Sequence, residues 1–299
     1  MNRKAVMFGL LTVLIWGSGF AAIRASLLGG FSAQHLLVFR FLIASLVFVI
    51  YALLPGVKLR LPKKEHLLPI ALLGLFGITI YQLGVTFGQE TVSAGAASMI
   101  VAASPLFTAL LAIFALKEPM NRLGWISLFV GFIGVVLIML GAEGTSMEIS
   151  LGAIYILIAA IATSIFYVYQ KPLFQTYRPI ELTAYFTWAG TIPFLIFLPG
   201  LGNTLQASTN EAFWSAIYLG IFPAAAAYVL WAYALSLSDA GAISSILYFE
   251  PVVAIIVAWI WLQEIPTILS VIGGAIAVSS VVIMQWANRR TRPPLASKK

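Results

Sequence analysis

The sequence predicts an all-α integral membrane protein of ten transmembrane helices, built as two five-helix repeats of opposite orientation. Three observations carry that expectation. The 299 residues are 61% hydrophobic and 9% charged, with a mean hydropathy of +1.01, whereas a soluble domain carries about 25% charged residues. The apolar residues gather into stretches of about 20, the length of helix that crosses about 30 Å of hydrocarbon. The two halves of the chain also align with one another at a single fixed offset.

The first span is read at 5–27. Met1-Asn2-Arg3-Lys4 followed by an apolar run resembles a signal peptide. No small-x-small site in a polar region follows, however, and the segment has an internal counterpart, so a retained first helix is expected. The next spans are read at 34–54, closed by Pro55-Gly56, then 67–88, 93–116 and 122–141. The second half repeats the series at 150–171, 180–199, closed by Pro199-Gly200, then 212–235, 240–262 and 267–287. A first repeat over 1–144, a second over 145–288 and a basic tail over 289–299 follow.

Lys and Arg set the orientation. With the N-terminus inside, 15 of the 17 basic residues fall in cytoplasmic segments, and Arg24 and Arg40 lie within spans. The outer loops then hold Glu90, Glu143, Glu148, Glu211 and Glu264 with no basic residue. This is the positive-inside pattern, and it points to an inner membrane with both termini cytoplasmic. The net charge of +7 is spread over short gaps between apolar runs, so nucleic acid is not an expected partner.

The repeat appears when the sequence is shifted by 146 residues. Ser93-Ala94-Gly95-Ala96-Ala97-Ser98 lies over Asp239-Ala240-Gly241-Ala242-Ile243-Ser244, Pro105 over Pro251 and Glu118 over Glu264. Positions 93–118 hold nine identities in 26. Five spans per half is an odd number, so the second half enters from the opposite side. Secondary transporters recurrently use such inverted repeats to open one face while closing the other.

Breaks and charges at mid-membrane mark the expected site. Pro105 and Pro251 sit at matched central positions, as do Gly77 and Pro223. The four are read as hinge or site residues, against the plainer reading of static kinks. Glu250 is the only acid deep in a span. It could bind a substrate ammonium group, carry a coupling proton, or sit protonated in a structural hydrogen bond. Trp16, Tyr81, Gln82, Ser104, Ser164, Tyr167, Tyr228, Trp231 and Tyr248 are the other cavity candidates, with Phe249 beside them. Aromatic faces suit an apolar body or an ammonium group, and each one could equally pack helices. Arg40 could attract a carboxylate, snorkel outward or pair with a helix end. Arg24, at the outer end of its span, reads as interfacial. Gly84-x-x-x-Gly88, Gly131-x-x-Gly134 and Gly273-Gly274 read as close-packing signals.

Other chemistry is missing. Cysteine is absent and only two His are present, which argues against thiol catalysis and a His metal centre. No phosphate loop, zinc-protease motif or nucleophile elbow occurs. No cofactor is expected, and neither is an enzyme.

Trp16-Gly17, Phe39-Arg40-Phe41-Leu42-Ile43-Ala44, Ala94 to Ser98, Leu116-Lys117-Glu118, Tyr248 to Ala254 and Leu262-Gln263-Glu264 resemble the EamA domains of the drug/metabolite transporter superfamily. The resemblance covers nearly the whole chain. It implies ten helices, cytoplasmic termini and a central cavity. It also implies transport of small metabolites, in the manner of the YddG-like amino-acid exporters or of the phosphorylated-sugar and nucleotide-sugar exchangers. The second half departs from the pattern, with Phe186 opposite Arg40 and Ala162-Thr163 opposite Trp16-Gly17. An aromatic cavity with one acid and few fixed cations favours an amino acid or similar metabolite as substrate. An antiporter of phosphorylated or nucleotide-linked sugars would need several cavity-facing cations. A membrane-embedded enzyme or an assembly subunit is the remaining alternative.

Overall fold

Among the described residues the chain is entirely helical, with turns between the helices. The structure is a computed structural model and describes residues 3–57, 59–104, 106–108, 110–111, 122–141, 150–237 and 245–291. Its helices are α1 (Arg3–Leu28), α2 (Ala33–Leu53), α3 (Lys64–Gly88), α4 (Ala94–Val101), α5 (Arg122–Gly141), α6 (Leu151–Gln170), α7 (Pro179–Thr191), α8 (Leu201–Ala207), α9 (Asn210–Leu237), α10 (Glu250–Leu262) and α11 (Ile268–Thr291). Short 3₁₀ runs continue α6 over Lys171–Gln175 and α7 over Ile192–Phe197, and another precedes α10 over Ser245–Phe249.

Seven of these stretches are long and apolar enough to cross a bilayer: α1, α2, α3, α5, α6 and α7 with their extensions, and α9. Three shorter apolar stretches cover Ala94–Thr108, Ile246–Leu262 and Ile268–Ser280. The chain is a multi-pass membrane protein. Its outer surface is lined by exposed apolar side chains such as Leu46, Phe129, Ile196 and Ile260, which suit hydrocarbon. Its interior is rich in small residues, with Ala21, Ala22, Ala97, Ala153, Ala159 and Ala160 fully buried. Small side chains let helices approach closely where lipid supplies no hydrophobic drive between them. The α5–α11 contact is one such case. A Cβ on Gly134 would lie 2.7 Å from the Gly273 carbonyl and 2.7 Å from the Ala277 amide.

Polar residues start the helices where the apolar runs begin. Ser32, Ser93, Ser150 and Thr209 each accept a hydrogen bond from the backbone N–H three residues on, at 3.3, 3.3, 3.0 and 3.2 Å. Short α8 is not among the expected spans. His35 holds it, with Nδ1 2.6 Å from Thr204 Oγ1 and Nε2 3.1 Å from the Pro199 carbonyl.

The offset of 146 recurs in the coordinates. Helices starting at Ala33, Lys64 and Arg122 have counterparts starting at Pro179, Asn210 and Ile268. Two side-chain contacts join residues 146 apart: Ser45 Oγ to Thr191 Oγ1 at 3.0 Å, and Gln82 Nε2 to Tyr228 OH at 3.3 Å. Pro251 does not break a continuous α-helix. It sits in the first turn of α10, just after the 3₁₀ run, where a missing N–H costs nothing. Pro105 lies outside the described residues, as do Glu118 and positions 239–244 of the aligned pair.

Candidate functional site

The site begins with two irregular turns. α3 widens to a π-helix over Leu75–Ile80, and α9 does so over Phe222–Ala226. Gly77 and Pro223 occupy the matched positions within them. Such a bulge loosens the local ladder and leaves a carbonyl to find another donor. The Gly77 carbonyl accepts from Tyr228 OH at 3.3 Å, and the Pro223 carbonyl accepts from Trp16 Nε1 at 3.1 Å. Each widened turn is thus held by an aromatic donor from the opposite half of the chain.

A polar chain leads on from Tyr228. Gln82 Nε2 donates to its hydroxyl, and Gln82 Oε1 accepts from Arg40 Nη2 at 2.7 Å. The same Nη2 donates to Thr86 Oγ1 at 2.7 Å, while Arg40 Nε has no partner. Phe41 lies below the guanidinium, 5.3 Å from its centre. Arg40 does not snorkel outward: it is 2% exposed.

On the other side of Tyr228 the rings close up. The Trp16 ring meets Tyr228 edge-on at 5.2 Å and Trp231 at 5.9 Å, and Tyr167 lies 6.1 Å from Trp231. Trp231 is buried and its Nε1 has no acceptor. Glu250 opens α10 beside this group and is 6% exposed. Its backbone carbonyl would lie 3.1 Å from a Cβ on Gly17, so the acid is seated against α1 one residue from Trp16. Tyr81, Tyr167 and Tyr228 all stand within electrostatic range of its carboxyl. Among the described residues that carboxyl has no hydrogen bond and no ion pair.

Ser104 and Ser164 form a separate pair, with the Ser164 hydroxyl 2.8 Å from the Ser104 carbonyl. Tyr248 is buried. Phe249 turns away, 60% exposed, and belongs with the lipid-facing side chains.

The bundle end that carries the α1–α2 turn is tied shut. Arg24 Nε donates to Glu264 Oε1 at 2.9 Å, and Arg24 Nη1 donates to the Gln89 and Glu90 carbonyls at 2.8 and 3.0 Å. Glu264 Oε2 accepts from the Ala94 amide at 3.2 Å. Arg24 is therefore an ion-pair residue joining α1 to the turn before α4 and the turn after α10. Deeper in, Gln170, Phe186, Tyr228 and Trp231 border a narrow void with room for about one water. A wider groove of about 380 Å³ runs between α5 and α11. Aliphatic side chains such as Leu123, Ile126 and Val130 line it, so it offers no charge to a polar metabolite. No group of three His, Asp or Glu able to hold a metal occurs among the described residues.

A model of the EamA-like transporter family matches residues 3–140 and again 150–286. The chain belongs to the EamA-like transporter family. Its similarity to individual members is extensive. It is 37% identical to the uncharacterized transporter YdfC of Bacillus subtilis, over 94% of this chain and 92% of that one. It is 34% identical to a probable terminal-alkyne amino-acid exporter of Streptantibioticus cattleyicolor, over 96% and 94%. A solved structure titled "Crystal structure of protein" shares the fold, with a TM-score of 0.66 at 19% identity, covering 98% of this chain and all of that one.

Within this EamA chain, Trp16, Tyr81, Gln82, Tyr167, Tyr228, Trp231 and Glu250 gather around one point, with Gly77 and Pro223 at its edge. The Ser164 hydroxyl meets the Ser104 carbonyl, and among the described residues no hydrogen bond joins either serine to that group. Arg40 and Thr86 were not among the sequence candidates for the cavity. The residue type flagged Arg40. Its partners depend on how α2 packs on α3, which a single sequence does not display.

Proposed function

We propose that this chain exports small metabolites, amino acids foremost, from the cytoplasm across the inner membrane by alternating access. Two inverted halves, 1–144 and 145–288, would each supply five crossings, with both termini and the 289–299 tail cytoplasmic. The seven long and three shorter apolar helices support the count. The contacts between residues 146 apart support a local two-fold relation between halves. The concentration of Lys and Arg between particular spans supports the orientation.

One observation carries the substrate reading. Glu250 is a buried acid without a partner among the described residues, seated against Gly17 beside Trp16 and within electrostatic range of Tyr167, whose ring meets Trp231. An acid in that setting suits an ammonium group, and the rings suit an apolar side chain. The relative named as an amino-acid exporter is consistent with this. Phosphorylated sugars fit less well, because Arg24 is already engaged by Glu264 and Arg40 is then the one free cation at this depth among the described residues.

Reconstitution into liposomes tests the reading. Labelled L-phenylalanine should exchange against unlabelled amino acids and not against sugar phosphates or nucleotide sugars. Glu250→Gln should slow the exchange at least tenfold with the protein still folded. Exchange of sugar phosphates alone, or unchanged exchange by Glu250→Gln, would refute it.

A further inference from the structure

A guanidinium and a carboxyl are buried in one cluster, and neither has an ion-pair partner among the described residues. Arg40 is 2% exposed and Glu250 6% exposed. Among the described residues neither forms an ion pair, since the ion pairs found there are Arg24 with Glu264, and Glu65 with Lys63 and His66. Tyr81 and Tyr228 stand within electrostatic range of both charges, so the two flank the same pair of rings. Unpaired charges at membrane depth are costly and are kept for a use.

The guanidinium is also held in place. Its Nη2 is fixed by Gln82 and Thr86, one helical turn apart on α3, at 2.7 Å each. Gln82 is itself fixed by Tyr228, and Tyr228 by the Gly77 carbonyl. Both anchors are neutral oxygens, so they orient the cation without cancelling it. Arg40 Nε is left with no acceptor although it is fully buried. A purely structural arginine would use that donor, because an unmade hydrogen bond to a buried charged group is expensive.

We propose that Arg40 is the carboxylate-binding pole of the transport site, with Gln82 and Thr86 as its positioning residues and Glu250 as the opposite, ammonium-binding pole. The inference rests on the export reading above and narrows it to free α-amino acids. A zwitterion supplies a countercharge to each pole at once and leaves the site's net charge unchanged. An amine satisfies only Glu250, and a carboxylic acid only Arg40. The apolar side chain of the substrate lies against Trp16, Tyr167 and Trp231. Both Nη2 hydrogens go to Gln82 and Thr86, so the substrate carboxylate accepts from Arg40 Nε, the donor left without a partner.

Ligand-induced thermal stabilisation of the purified full-length chain in detergent provides the test. The probes are L-phenylalanine, its methyl ester, 3-phenylpropionic acid and 2-phenylethylamine. L-phenylalanine should raise the melting temperature, and the three single-pole compounds should bind on the order of 100-fold more weakly. In Arg40→Gln, L-phenylalanine and 2-phenylethylamine should bind alike, while Arg40→Lys should recover part of the preference for the zwitterion. The native protein's comparison stands even if an Arg40 variant fails to fold. Ester or amine binding as tight as L-phenylalanine overturns the carboxylate pole and leaves amino-compound export standing. No stabilisation by L-phenylalanine, together with no amino-acid exchange in liposomes, overturns the export reading and this inference with it.

Discussion

Replacing Arg24 by Gln should open the bundle end that the Arg24–Glu264 pair closes. The substitution installs the residue that stands 146 positions later, Gln170. It removes the ion pair at 2.9 Å and weakens the two bonds to the Gln89 and Glu90 carbonyls. The side chains of Arg24 and Glu264 are 18% and 20% exposed, between a surface pair worth about 0–1 kcal/mol and a buried one whose breakage costs about 3–5 kcal/mol. A loss of about 2 kcal/mol of closure free energy follows, a shift of about 30-fold in the open-to-closed ratio. The chain contains no cysteine, so one introduced thiol reports without background. Ala21→Cys suits the purpose, because Ala21 is fully buried and lies one turn below Arg24 on α1. A membrane-impermeant maleimide added from the Arg24 side should label Arg24→Gln/Ala21→Cys about 30-fold faster than Ala21→Cys alone. Equal rates in two folded proteins would show that the pair closes nothing.

Two further substitutions probe the helix junctions. Trp16→Phe removes the donor to the Pro223 carbonyl and thins the ring contacts with Tyr228 and Trp231. It should lower stability by about 1–3 kcal/mol, read as a lower melting temperature in detergent, and an unchanged melting temperature would exclude a role in holding the α9 turn. Gly84→Ala drives a Cβ into the Tyr155 carbonyl of α6; it should destabilise by about 1–3 kcal/mol, whereas the same change at Gly202, where nothing lies within 4 Å, should not.

Much of the fold could be read from the chain because membrane helices announce themselves by length. The apolar runs at 5–27, 34–54 and 122–141 correspond to α1, α2 and α5 within two residues at either end. Short α8 has no such run and was invisible. Gly77 and Pro223 stood out as matched breaks, but the aromatic donors that hold the π turns around them, Tyr228 and Trp16, come from the other half of the chain. Glu250 was legible because an acid at that depth is exceptional. Arg40 was only half legible, since its reading depended on whether polar partners or lipid headgroups would meet it. Gln82 and Thr86, spaced one turn apart, answer that only once α2 is placed on α3. Arg24 reaches Glu264 across 240 residues of sequence, which no local pattern could reveal.

Alternating access stands or falls on whether the Arg24 end must open during each cycle. The direct measurement cross-links it in the cysteine-free chain. Arg24→Cys/Glu264→Cys is bridged by a flexible bifunctional thiol reagent, and L-phenylalanine exchange is followed in liposomes before and after the bridge is reduced. Exchange should stop while the bridge is intact and return when it is cut. Undiminished exchange through a protein fully bridged at that end would contradict the mechanism.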